Sequence, residues 1–305
     1  MDFTKLKTQS KSSLEKLSQE LSKMNQQYDK VKDERFWYPN VDKAGNGYAV
    51  IRFLPAPGDE SVPFIRMWDH GFKGPTGSWY IENSLTTIGK PDPVSELNSK
   101  LWNMSSDDNS PSRKQAREQK RKLSYFSNIY VVQDQANPEN NSKVFLFKFG
   151  KKIFDKLNEA MNPQFADEKP LNPFDLWAGA NFKLKIRNVD SYRNYDKSEF
   201  SSAGPLFDND EQMEAVWKQE HSLQEFLDPS KFKSYEELQA KLNKVLCLNE
   251  NGSVAPAAAR AAAASRKTAE DEDDLPRQAP KQEASTPASS DEDEDDLAFF
   301  KKLAS

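Results

Sequence analysis

Residues Asn181–Val189 read NFKLKIRNV. Phe182, Leu184 and Ile186 alternate with Lys183, Lys185 and Arg187. A strand through this stretch therefore puts three apolar side chains on one face and three cations on the other. Three further runs have the same β character and are bounded by turn residues: Tyr48–Leu54 (YAVIRFL), Tyr125–Val132 (YFSNIYVV) and Val144–Phe149 (VFLFKF). Helical spacing appears at Ile153–Met161, and again at Tyr235–Leu248 behind a Ser234/Glu237 capping box. Strands at mixed spacing without regular βαβ alternation argue against a doubly wound parallel sheet. They predict an α+β chain built on a small β-barrel or sandwich with added helices.

Three regions follow from composition. Residues 31–250 carry nearly all the aromatic side chains and predict the folded core. Residues 1–30 are rich in Lys, Ser and Gln, and Leu14, Leu17, Leu21 and Met24 form a narrow helical stripe behind Ser12 and Glu15. So thin a stripe cannot hold a helix in water unaided, which makes this arm dependent on another surface. Residues 251–305 bring an Ala run, Pro, Ser and two acidic blocks, and end in LAFFKKL (Leu297–Leu303). A segment this poor in apolar side chains predicts disorder. It holds seven Lys/Arg against twelve Asp/Glu, so it carries the whole net charge of −5 and leaves residues 1–250 neutral at 36 of each sign.

Enzyme chemistry has little support. The chain has two histidines, His70 and His221, and one cysteine, Cys247, with no GxxxxGK[ST], GxGxxG or HExxH. A lone cysteine excludes an internal disulfide framework and any zinc site built on several thiolates. Nothing reads as a signal peptide or membrane span, which predicts a soluble intracellular protein. The basic residues say more, because they stand beside rings. Arg113–Lys122 (RKQAREQKRK) holds six cations in ten residues, including Lys120, Arg121 and Lys122, and leads into Tyr125 and Phe126. Phe147 and Lys148 share the next strand, and Tyr192, Arg193 and Tyr195 follow Lys183, Lys185 and Arg187. Cations that neutralise phosphates, interleaved with flat rings on which bases stack, suit sequence-independent binding of a single strand. The competing reading is that the rings are core and the cations only keep the surface soluble.

At these residues the chain resembles the single-stranded-DNA-binding, helix-destabilising proteins of T-even-type tailed phages. The resemblance rests on AGNGYAVIRFLP (44–55), DHGFK (69–73) with WYIE (79–82), KRKLSYFSNIYVV (120–132), NPEN (137–140), KVFLFKFGKKIFDK (143–156), WAGANFKLKI (177–186) and NYDKSEF (194–200), in the family's order. It implies a barrel of the oligonucleotide-binding type with a small subdomain. It also implies a basic N-terminal arm for cooperative self-association, which Lys5, Lys7 and Lys11 would serve, and an acidic tail for replication and recombination partners. Leu297, Phe299, Phe300 and Leu303 are the apolar part of that tail. Action would be in replication, recombination and repair in the cytoplasm of an infected bacterium. On or near the family's DNA cleft fall Arg52, Arg121, Tyr125, Phe126, Phe147, Lys148, Tyr192 and Tyr195.

Two departures stand out. The family's structural zinc is held by one His and three Cys. His70 remains, but the cysteine positions fall near Ser84, Asp92 and Ser95, and serine is a poor zinc ligand. The metal is therefore expected to be lost, leaving Trp68, Trp79 and Trp102 as candidates to hold the subdomain by packing. The family's compact Lys/Arg-then-Ser/Thr cluster is only loosely echoed in the arm, and Lys120–Ser124 in the core matches it better. Two other functions remain open: an RNA-binding regulator using the same rings, and a scaffold that binds only proteins.

Overall fold

The computed structural model describes residues 33–248, apart from 166, 190 and 191. The arm with Lys5, Lys7 and Lys11, and the tail with Leu297, Phe299, Phe300 and Leu303, lie outside the described residues. The chain divides into two units, 1–36 and 37–305. In the first, Asp33 turns back on Arg35 and accepts from its guanidinium at 2.7 Å.

Among the described residues there are nine strands and five α-helices, a mixed α+β chain. The strands are β1 (Phe36–Trp37), β2 (Gly47–Phe53), β3 (Phe64–Lys73), β4 (Trp79–Asn83), β5 (Lys122–Asp134), β6 (Val144–Phe149), β7 (Phe182–Val189), β8 (Tyr192–Asn194) and β9 (Glu199–Phe200). The helices are α1 (Pro93–Asn103), α2 (Pro111–Glu118), α3 (Lys151–Met161), α4 (Asp210–Trp217) and α5 (Tyr235–Leu246). One path through the sheet runs β1-β6-β5-β2-β7-β8, with β3 joining β5, β4 joining β3, and β9 joining β7.

Strand β5 is the spine, pairing antiparallel with β2, β3 and β6. It is apolar on both faces because both faces are covered. Tyr125, Ile129 and Val131 enter the main core, while Tyr130 enters a second cluster with Leu54, Leu176, Met213 and Val216. This explains why YFSNIYVV shows no clean alternation. In β7 one face is free, and Phe182, Leu184 and Ile186 are at most 3% exposed. Between β2 and β5 the register slips at Val50/Ile51, where Val132 of β5 is left as the extra residue.

The main core is aromatic. Trp37 meets Phe147 edge-on at 5.2 Å, Phe53 meets Phe174 at 5.8 Å, and Tyr125 stacks on Phe154 at 4.0 Å. A separate hydrophobic cluster is made of Phe72, Tyr80, Leu85, Val94 and the α5 residues Leu238, Leu242, Val245 and Leu246. Trp68, Trp79 and Trp102, expected to pack there, do not belong to that cluster. They are only half-buried, and Arg121 and Arg113 lie over two of them, Trp68 and Trp102. The leucine spacing of α5 was the better guide. Its capping box is formed as read, with Ser234 Oγ accepting from Glu237 N–H and Glu237 accepting from Ser234 N–H.

Candidate nucleic-acid interface

Pairing of β2 with β7 sets the outer face of the sheet. Tyr48 lies opposite Lys185 and Val50 opposite Lys183. Across the β7–β8 hairpin Val189 lies opposite Tyr192. Cross-strand partners in an antiparallel pair point to one side. Tyr48, Lys183, Lys185, Arg187 and Tyr192 therefore share a face, and Tyr192 is 65% exposed. In the sequence Tyr48 shows only as part of a strand, because its place beside Lys185 depends on the register between distant strands.

Two cations on this face, Arg187 and Lys185, are held by carboxylates. Arg187 forks onto Asp196 at 2.8 and 2.6 Å, and Lys185 reaches Glu199 at 2.7 Å. Hydrogen bonds from Arg187 hold the Asp196 carboxyl down at about 2, and those from Lys185 lower Glu199. Both pairs are exposed, so they are weak and easily exchanged. A phosphate can take the place of either carboxylate. Tyr195 is half-buried and packs against the main core.

A second group lies along β3, β5 and β6. The Arg121 guanidinium sits 3.8 Å above the Trp68 ring and donates to Thr86 Oγ1 at 2.8 Å. Lys122 is exposed opposite Asp69, and Lys120 is half-buried just before it. Lys148 bonds Asp69 at 3.0 Å and lies 5.7 Å from the Phe126 ring centre. Phe126 itself is buried edge-on against Phe226.

Besides Phe126, three expected contacts are placed in the interior instead. Arg52 is 1% exposed, and its Nη2 donates to the carbonyls of Asp175 and Gly204 at 2.8 Å and of Leu176 at 3.3 Å. Burial lowers its pKa, against the pull of Asp175. Tyr125 and Phe147 are core rings. In this arrangement none of the three presents a surface to a ligand. The reason is shared: alternation and aromatic content mark a strand, but not which face a neighbouring segment covers.

A family described as gp32 DNA binding protein like matches residues 45–246. The chain belongs to this family. It is 43% identical over 238 residues to the single-stranded DNA-binding protein of Enterobacteria phage T2, covering 75% of this chain and 76% of that protein. To the protein of the same name from Enterobacteria phage T4 it is 42% identical, with the same coverage. Escherichia phage SV14 has a single-stranded DNA-binding protein that is 50% identical over 70 residues, 22% of this chain and 61% of that protein.

His70, Ser84, Asp92 and Ser95, the positions where the resemblance implies zinc ligands, do come together, around an anion. Asp92 is 1% exposed at the N-terminus of α1. Its Oδ1 accepts from the N–H groups of Val94 and Ser95, each at 3.0 Å. Its Oδ2 accepts from the Ser84 hydroxyl at 3.0 Å and the Leu85 N–H at 3.1 Å. His70 Nε2 stands 3.3 Å from Oδ1, while its Nδ1 faces the Gln119 carbonyl at 3.0 Å. Burial opposes ionisation of Asp92, but His70 and the surrounding donors outweigh it and bring the carboxyl to about 2. This donor set does not fit zinc. One imidazole and one carboxylate remain, the carboxylate oxygens are already taken by N–H and O–H groups, and the two hydroxyls are poor ligands. Among the described residues no group of three or more His, Cys, Asp or Glu side chains is placed to hold a metal ion. Likewise, no described helix is long and apolar enough to cross a membrane.

Proposed function

We propose that the chain binds single-stranded DNA without sequence preference and coats it cooperatively in phage replication, recombination and repair, with no catalytic activity of its own. The observation that carries this is the outer face of β2, β7 and β8, where exposed Tyr48 and Tyr192 stand among Lys183, Lys185 and Arg187. Rings stack on any base, and cations follow the backbone whatever the sequence. Membership of the gp32-like family, whose phage T2 and T4 members are called single-stranded DNA-binding proteins, supports the same reading. The Arg121, Lys122 and Lys148 group extends the phosphate track along β5. The core is read as a barrel of the oligonucleotide-binding type, with the arm joining neighbouring molecules along the strand and the acidic tail taking partner proteins in the cytoplasm of the infected host.

The test is retention on single-stranded DNA cellulose as salt is raised, with poly(dT) and poly(U) as competitors. Elution at rising salt, with poly(dT) the better competitor, is the outcome expected. Flow-through at low salt would leave the chain a protein scaffold, and stronger competition by poly(U) would make it an RNA binder.

A further inference from the structure

The Asp92 cluster does not end in the subdomain interior. Ser84 has one hydroxyl hydrogen, and it goes to Asp92 Oδ2. At Ser84 Oγ the oxygen of Thr86 lies 3.0 Å away, so the Thr86 hydroxyl must be the donor between them. That leaves the Thr86 lone pairs to accept from Arg121 Nη1 at 2.8 Å. Donation therefore runs one way, from Arg121 to Thr86 to Ser84 to the buried carboxylate, and each bond polarises the next. The same turn fixes the ring beneath the guanidinium. Trp68 N–H donates to Thr87 Oγ1 at 2.9 Å, and the Trp68 carbonyl accepts from Ser84 N–H at 2.8 Å.

We infer that Asp92 is a positioning residue for strand binding: standing at the family's metal position as an anionic hub, it sets the Ser84–Thr87 turn, which holds Arg121 flat over Trp68. The inference rests on the single-strand-binding reading. A guanidinium already laid on a ring and fixed at one nitrogen loses less freedom when it meets a phosphate than a free side chain does. A metal would order this turn through thiolates. Here one carboxylate takes four donors from the turn and from α1, and meets His70 of β3 on its remaining side, so the ordering needs no ion.

The test uses the full chain and the salt dependence of its affinity for poly(dT). Thr86→Val keeps the shape of the side chain but breaks the link to Arg121. It should lower the slope of log affinity against log salt by roughly 0.7, one phosphate contact on a single strand, with the melting temperature held. Asp92→Asn should show the same loss of slope with a lower melting temperature. In an Asp92→Asn/Arg121→Ala double variant the slope should fall no further than in Arg121→Ala alone, because the two act through one contact. Chelator should change neither melting temperature nor affinity of the wild type. Wild-type slopes in Thr86→Val and Asp92→Asn would overturn the positioning role while leaving the binding function intact. Stoichiometric zinc whose removal weakens binding would overturn it by making a metal the hub. A wild-type chain without salt-dependent binding to poly(dT) would instead bring down the functional reading, and this inference with it.

Discussion

Arg52 and Lys185 point to the same side of one sheet and have opposite roles. Lys185 meets solvent and Glu199, whereas Arg52 lies under the segment from Asp175 to Gly204 and ties it to β2 through three carbonyls. Arg52→Ala should therefore cost stability, leaving buried carbonyls without a donor at about 1–3 kcal/mol. Chemical denaturation should show this loss, while the folded variant keeps its DNA salt slope. Glu220 is a second residue whose burial decides its chemistry. Neither of its carboxyl oxygens has a hydrogen-bond partner, and burial, followed by the charge of Glu60, raises its pKa to about 9. In the unfolded chain a glutamate titrates near ~4.3. Because the folded value is the higher one, stability is full below that range and is lost as pH rises through about 9. Thermal melts of the wild type should fall between pH 6 and pH 9, and Glu220→Gln should remove most of that fall. An equal fall in both proteins would place the titrating group elsewhere.

At the scale of elements, stability should depend on the caps the sequence spells out. Ser234→Ala removes the side-chain acceptor at the start of α5 and should cost about 1 kcal/mol in denaturant melts, with little effect on DNA binding. That helix was legible because its cap and its leucine spacing are both local. Strand β7 was legible because its outer face is open and its alternation intact. Strand β5 was legible as a strand, but its rings could not be assigned, since Tyr125 and Phe126 are buried on opposite faces by partners more than 20 residues away. Helix α1 was missed although Asp92 and Pro93 are an N-cap and first-turn pair, a signal obscured by reading Asp92 as a lost ligand position. Helix α2 was read only as a run of charge, because seven of its eight residues have low apolar character and Ala116 alone is buried. In the interface, Lys183, Lys185, Arg187 and Tyr192 could be grouped from adjacency, but Tyr48 and the Trp68–Arg121 stack depend on pairings between separate strands.

Across the whole molecule, charge is divided rather than accumulated. Residues 1–250 are neutral, and three cations of the sheet, Lys148, Arg187 and Lys185, are paired with Asp69, Asp196 and Glu199. Binding to a polyanion must therefore exchange carboxylates for phosphates, which makes it sensitive to salt. Coating a long strand also needs contact between molecules, which we propose the arm supplies. Deleting residues 1–24 should leave affinity for a short oligonucleotide nearly unchanged and lower it on long poly(dT), and equal losses on both would make the arm a DNA contact. On the proposed reading, bases stack on the outer face of β2, β7 and β8. Its most direct test is a fluorescence titration with poly(dT) of the wild type, Tyr48→Ala and Tyr192→Ala at one salt concentration. The wild type should be quenched, and each variant should bind more weakly by about 1–3 kcal/mol with an unchanged melting temperature. Wild-type affinity in both variants would move the strand to another face of the protein.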